Sequence, residues 1–150
     1  MTTDNACTQR PFDREALGRR ALELHGMKYN CAQAVACTLA PLIGADEELC
    51  FRAAEGLGGG MGGLTETCGA VTGAAVVIGM ANSSGKDDPT SKARTYRIVR
   101  KLVSDFREQN GSTLCPELKG IKTKQPLRSC NGCIADAIDL TADALQQLRA

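Results

Sequence analysis

TETCGAVTGAAVVIGMA, residues 65–81, carries one cysteine near its start, and no charge falls between Thr67 and Gly85. Gly69 and Gly73 stand four apart, as do Ala70 and Ala74, so small residues recur along one helical stripe. Another helix backbone can approach closely there, which gives Gly73 and Gly79 a packing role. A helix with no charged face is one enclosed by other helices, so this stretch predicts a buried central helix in an all-α fold. Directly upstream runs GLGGGMGG, residues 56–63, with six glycines.

The same periodicity extends outward in both directions. Pro11 suits the first turn of a helix carrying Leu17, Ala21 and Leu24, which Gly26 stops. Asn30 offers an N-cap for a helix with Cys31, Val35, Leu39 and Leu42 on one face, shortened at Pro41 and ended by Gly44. Asp46 caps DEELCFRAAEGL, and Thr65 or Thr67 is expected to cap the central helix. Asp88-Pro89 starts a long helix predicted to bury Tyr96, Val99, Val103 and Phe106 before Gly111 closes it. A turn over residues 112–118 holds Cys115. A last helix from about Asn131 to Leu148 turns Ile134, Ile138, Leu145 and Leu148 to one side. No segment alternates with period two between hairpin signals. The expectation is a single-domain bundle of five to six helices over residues 11–150, with residues 1–10 as a flexible tail.

Composition narrows the function. The 150 residues suit one domain, and 43% hydrophobic with 23% charged residues is ordinary for a globular chain. A net charge of +1 and the lack of tryptophan give no case for nucleic acid. The N-terminus has no apolar signal segment and the most apolar stretch is too short to span a bilayer, so membrane insertion is not expected and a cytoplasmic location is. In a reducing compartment the eight cysteines, at 7, 31, 37, 50, 68, 115, 130 and 133, argue for redox chemistry or metal binding.

Cys68 stands out among them. At a helix start it faces unpaired N–H groups and the positive end of the macrodipole, which favour the thiolate. The glycine run leaves space above it, and the backbone of Gly59, Gly60, Gly62, Gly63 and Gly69 could approach the sulfur or a bound group. The run also fits G-x-G-x-x-G formally. However, no βαβ unit surrounds it and it follows a helix, so a dinucleotide site is not supported. Cys130-Asn131-Gly132-Cys133 is a CxxC at a helix entrance, with Cys130 nearer the exposed end and favoured as the attacking thiol. The same spacing could ligate zinc or an iron–sulfur cluster. Cys31 opens a helix and could meet Cys68 in the core, whereas Cys37 and Cys50 fall mid-helix as packing residues. The lone His25 could assist a thiol or bind metal, but reads first as a surface or helix-end residue.

Three segments carry a family resemblance: Asn30-Cys31-Ala32-Gln33-Ala34-Val35, the GGGMGG run, and Cys68-Gly69-Ala70-Val71-Thr72-Gly73. With Asn110-Gly111-Ser112 leading to Cys115, and a cysteine opening the last helix, the chain resembles a family of small proteins known for a redox-active role and for its pattern C…CGAxxG…C…C. The resemblance covers roughly residues 12–148. It implies a helical protein with a redox set of Cys31, Cys68, Cys115 and Cys133, or Cys130 in its place. The family pattern needs one cysteine at the last helix, where this chain has two. The helical unit is also similar to part of the split-Soret cytochromes, which carry haem and an iron–sulfur centre. Their haem motif is absent here, so only a cysteine-ligated cluster carries over. Two functions are therefore expected: thiol–disulfide exchange or electron transfer by these cysteines, or a metal centre held by Cys31, Cys68, Cys115 and Cys133. The partner would be a redox protein, and the small-residue face permits a homodimer.

Overall fold

The structure, a computed structural model, describes residues 11–149, so the expected tail and its Cys7 lie outside the described residues. It is all-α, with seven α-helices and no strand among those residues: α1 Arg14–Gly26, α2 Cys31–Leu39, α3 Glu47–Ala54, α4 Gly69–Asn82, α5 Lys92–Asn110, α6 Cys115–Lys119 and α7 Cys130–Arg149. Local chemistry sets most ends. Asp13 and Asp46 cap α1 and α3 through their carboxylates. Asn30 and Gln33 form a capping box on α2, each side chain accepting from the other's backbone N–H. Pro41 converts the end of α2 into a 3-10 turn, and Gly44 leaves it at φ 67°.

The core lies where α2 and α4 cross, with α7 and α1 beside them. Every residue from Ala32 to Leu39 is buried, so α2 is the most enclosed element of the fold. The small-residue stripe of α4 makes this possible. A Cβ on Gly73 would sit 2.6 Å from the carbonyl oxygen of Ala32, so glycine sets how closely the two backbones approach. Gly79 has open space where a Cβ would be and has no such role. The expectation of an enclosed α4 holds along one side, at Gly69, Ala70, Val71, Gly73, Ala74, Val77 and Ile78, while Thr72, Ala75 and Val76 are half-buried. Its last turn reaches the surface, where Met80 is exposed.

Three further expectations are corrected. Tyr96 is 62% exposed; the buried stripe of α5 is Leu102, Phe106 and Asn110, with Ile98, Val99 and Val103 half-buried. The four-residue step from Leu102 to Phe106 fixes that face, and Tyr96 falls well round the helix from it. Neither Thr65 nor Thr67 caps α4. Thr67 is drawn into an isolated antiparallel bridge with Leu114, and the N-cap position is taken by Cys68 itself. The turn holding Cys115 is a short helix, α6, with Pro116 in its first turn.

Candidate functional site

Five cysteines from four separate segments face one cavity of about 170 Å³: Cys31, Cys68, Cys115, Cys130 and Cys133. Other grooves, such as the one of about 250 Å³ bounded by Arg14, Lys101, Asp105 and Asp143, contain no thiol. Cys37 and Cys50 are buried elsewhere as packing residues. The Cys37 thiol donates to the carbonyl of Glu47, and Cys50 lies 3.8 Å from Met80 Sδ.

The chain gathers these sulfurs through backbone contacts. After Gly58 it turns through Gly59 at φ 61° and Gly60 at φ 56°, conformations that disfavour a Cβ. Gly60 also lies under Cys115, where a Cβ would meet the Cys115 Cβ at 2.6 Å. Non-glycine residues Met61 and Leu64 share the left-handed region, so the loop is held by its contacts and not by local preference. Those contacts are the Thr67–Leu114 bridge and the bonds beside it. Cys68 N–H donates to Thr113 O at 2.8 Å, and Cys115 N–H donates to Glu66 O at 2.8 Å. One clasp therefore positions both Cys68 and Cys115.

α2 and α7 supply the other three thiols. Cys31 is the first residue of α2 and its sulfur lies against Gly69, where a Cβ would be only 2.4 Å away. Ser129 opens α7, its hydroxyl accepting from Gly132 N–H at 3.0 Å. Cys130 and Cys133 follow with the three-residue spacing that puts them on one helix face. Gly132 between them leaves room for Arg128, which crosses the helix start to pair with Asp136 at 3.1 Å. Of the glycines expected near the sulfur, Gly59 and Gly69 line the cavity, Gly60 supports Cys115, and Gly62 and Gly63 are exposed and outside it.

The thiols differ in acidity. The Cys68 thiol is pulled down to about 7, first by Cys133, which holds the proton of the pair, then by the N–H groups of Ala70 and Val71 and by the Lys119 charge, against burial. Cys133 is pushed far above the ordinary thiol range, by the Cys68 thiolate first and by burial second. Burial raises Cys31, opposed by the N–H of Gly59, and raises Cys115, opposed by Lys119. Cys37 is raised to about 11 by burial and then by Glu47.

Sequence reasoning did not find Lys119 or Arg128 at this site and gave His25 a thiol-assisting role only as the lesser of two readings. His25 ends α1 at the cavity, its Nδ1 2.7 Å from Asn131 Oδ1 inside the CxxC. Lys119 and Arg128 complete the lining. Arg128 is neutralised by Asp136, whereas Lys119 forms no salt bridge among the described residues. The available signal was the basic run between Cys115 and Cys130, which holds two other lysines, Lys122 and Lys124, that do not reach the cavity.

Fold and site together define a class: an all-α domain that holds a ring of thiols, one of them acidified, beside a single uncompensated lysine. The chain belongs to the family described as "Putative redox-active protein (C_GCAxxG_C_C)", whose model matches residues 29–144. No curated protein and no solved structure matches it. No helix among the described residues is long and apolar enough to cross a membrane.

Proposed function

We propose that the five-cysteine cavity performs dithiol–disulfide exchange, and that Cys68 and Cys133 are the dithiol that closes. The observation that carries this reading is that Cys68 and Cys133, buried on two elements far apart in sequence, line the same cavity. There each acts on the other's proton, and the Cys68 pKa is lowered. A thiolate beside a thiol is the reactive form of a dithiol, because only the thiolate attacks a disulfide sulfur. In the net reaction a substrate disulfide takes two electrons and two protons and leaves as two thiols. The protein is left with a Cys68–Cys133 disulfide, and the reverse reaction oxidises a substrate dithiol. Cys31 and Cys115 wall the cavity, and a redox protein in a reducing cytoplasm fits as partner. The test is to oxidise reduced, metal-free protein with a graded thiol–disulfide buffer and map the bonds by mass spectrometry. A Cys68–Cys133 bond should form first, and a Cys68 that stays free while other cysteines pair would end this reading.

The sulfurs around an open volume favour a second reading, an iron–sulfur cluster held by Cys31, Cys68, Cys115 and Cys133. No three His, Cys, Asp or Glu side chains among the described residues are grouped closely enough to hold a metal ion, so a single zinc is the poorer fit. A cluster is larger than one ion, and its thiolates stand further apart around it. When bound it would supply one-electron transfer. Brown colour and sulfide-bound iron in protein purified without oxygen would establish it; colourless, iron-free protein would remove it.

A further inference from the structure

We propose that Cys130 is the thiol that meets the substrate disulfide, and that Cys133 passes the exchange inward to Cys68, forming a relay for disulfides too large to enter the cavity. The inference rests on the dithiol–disulfide reading above and adds the route by which a substrate reaches the dithiol.

Access requires such a route. Attack on a disulfide runs along its S–S axis, so the receiving sulfur must have open space on one side. Cys68 and Cys133 are 7% and 2% exposed. The cavity above them, about 170 Å³, is below the roughly 300 Å³ at which pockets begin to hold drug-sized ligands. A disulfide within a polypeptide cannot enter it. Among the five thiols only Cys31 and Cys130 are half-exposed. Cys31 is held inward, its sulfur seated against Gly69 with no room for even a methyl group between. Cys130 stands in the first turn of α7, shares a helix face with Cys133, and has the Lys119 ammonium beside it. Lys119 has no carboxylate partner among the described residues, so its charge is available to a thiolate leaving Cys130 or arriving with substrate. Cys133 neighbours both Cys130 and Cys68, which makes it the pivot.

The steps balance. The Cys130 thiolate attacks one sulfur of the substrate, forming a mixed disulfide and releasing the other sulfur as a thiolate. Cys133 attacks Cys130 Sγ while its proton passes to the departing substrate sulfur; the second substrate sulfur leaves as a thiol and a Cys130–Cys133 bond forms. The Cys68 thiolate then attacks Cys133 Sγ and frees Cys130. The substrate has been reduced, Cys68 and Cys133 have been oxidised, and Cys130 is returned unchanged.

Two probes test this on the full chain: dimethyl disulfide, which the cavity admits, and a cyclic peptide closed by one disulfide, which it does not. In Cys130→Ser, closure of the Cys68–Cys133 bond by the peptide should slow about tenfold or more, and by a clearly larger factor than closure by dimethyl disulfide. In Cys133→Ser the second step is blocked, and the peptide should be trapped on Cys130. Peptide-driven closure at the parent rate in Cys130→Ser, or a peptide trapped on Cys31 or Cys68, would overturn the relay and leave the dithiol reading standing. If neither probe closes Cys68–Cys133 in the parent chain, the dithiol reading itself fails.

Discussion

Cys68 occupies the N-cap position, where serine is among the preferred residues because its oxygen accepts from the first free N–H groups of the helix. Cys68 makes no side-chain capping hydrogen bond, but the nearby N–H groups of Ala70 and Val71 favour a negative charge on its sulfur. The sequence placed the cysteine one residue too far along, inside the helix, but the consequence for acidity is the same. A lowered pKa places the thiolate at lower pH, so alkylation of folded, reduced, metal-free protein should label Cys68 with a midpoint near 7. Labelling should fall away below that pH, and Cys37 and Cys50, both buried, should react only on unfolding. Cys68→Ser should abolish the fraction reacting with that midpoint and keep helix content in circular dichroism. Labelling of Cys37 before Cys68 would show that the thiol is not activated. Lys119→Met should raise the Cys68 midpoint, because it removes a positive charge acting on the thiolate, while Lys122→Met, outside the cavity, should leave it unchanged. Lys119 could not be chosen from sequence: three lysines and one arginine lie between Cys115 and Cys130, and only the turn of α6 decides which lysine faces the sulfurs.

At the scale of elements, the glycine spacing of α4 was legible as a packing stripe, but spacing alone assigns one role to two glycines that differ. Gly73 meets the Ala32 backbone, which cannot move aside without shifting α2, whereas Gly79 meets nothing. Gly73→Ala should therefore cost on the order of 1–3 kcal/mol by overpacking. Gly79→Ala should be neutral or stabilising by up to about 1 kcal/mol, since alanine is the better helix former. Urea unfolding of both variants checks the pair, and equal effects would mean that the α2–α4 contact is not set by Gly73. Helix existence followed from period and caps almost throughout, because Asn30, Asp46 and Gly111 act within a few residues of their own positions. The errors arose where a partner distant in sequence decided the outcome. Thr67 is taken from its capping role by Leu114, and Tyr96 is left exposed because α5 turns Leu102 and Phe106 to the core. Convergence of the five thiols is of the same kind, and the resemblance to a known cysteine pattern carried that expectation where periodicity could not.

For the whole molecule, the shared proton of Cys68 and Cys133 ties stability to pH in a way that an ordinary pair of thiols would not. Unfolded, both titrate near the usual thiol value of about 8.5. Folded, Cys68 loses its proton at about 7 and Cys133 keeps its own far above the usual range. Between about pH 7 and 8.5 the unfolded chain therefore binds more protons than the folded one, and stability rises with pH. The depressed Cys68 pKa supplies that gain, which is fully present above the unfolded value and lost as pH falls through about 7. Above about pH 8.5 the sign reverses, because the unfolded chain sheds the Cys133 proton that the folded chain holds. Cys31, Cys37, Cys50 and Cys115, all raised by burial, act in the same direction there. The reduced protein should thus be most stable near pH 8 to 9, about 1–2 kcal/mol above its value at pH 6 from this pair. Oxidation to the Cys68–Cys133 disulfide removes both titrating groups and closes a long loop, so the oxidised form should lose the rise between pH 7 and 8.5. It should be more stable overall by up to about 4 kcal/mol from chain entropy. Urea midpoints of both forms at several pH values make the comparison. An oxidised form that keeps the same rise, or a reduced form flat across the range, would show that Cys68 and Cys133 do not share a proton in the folded protein.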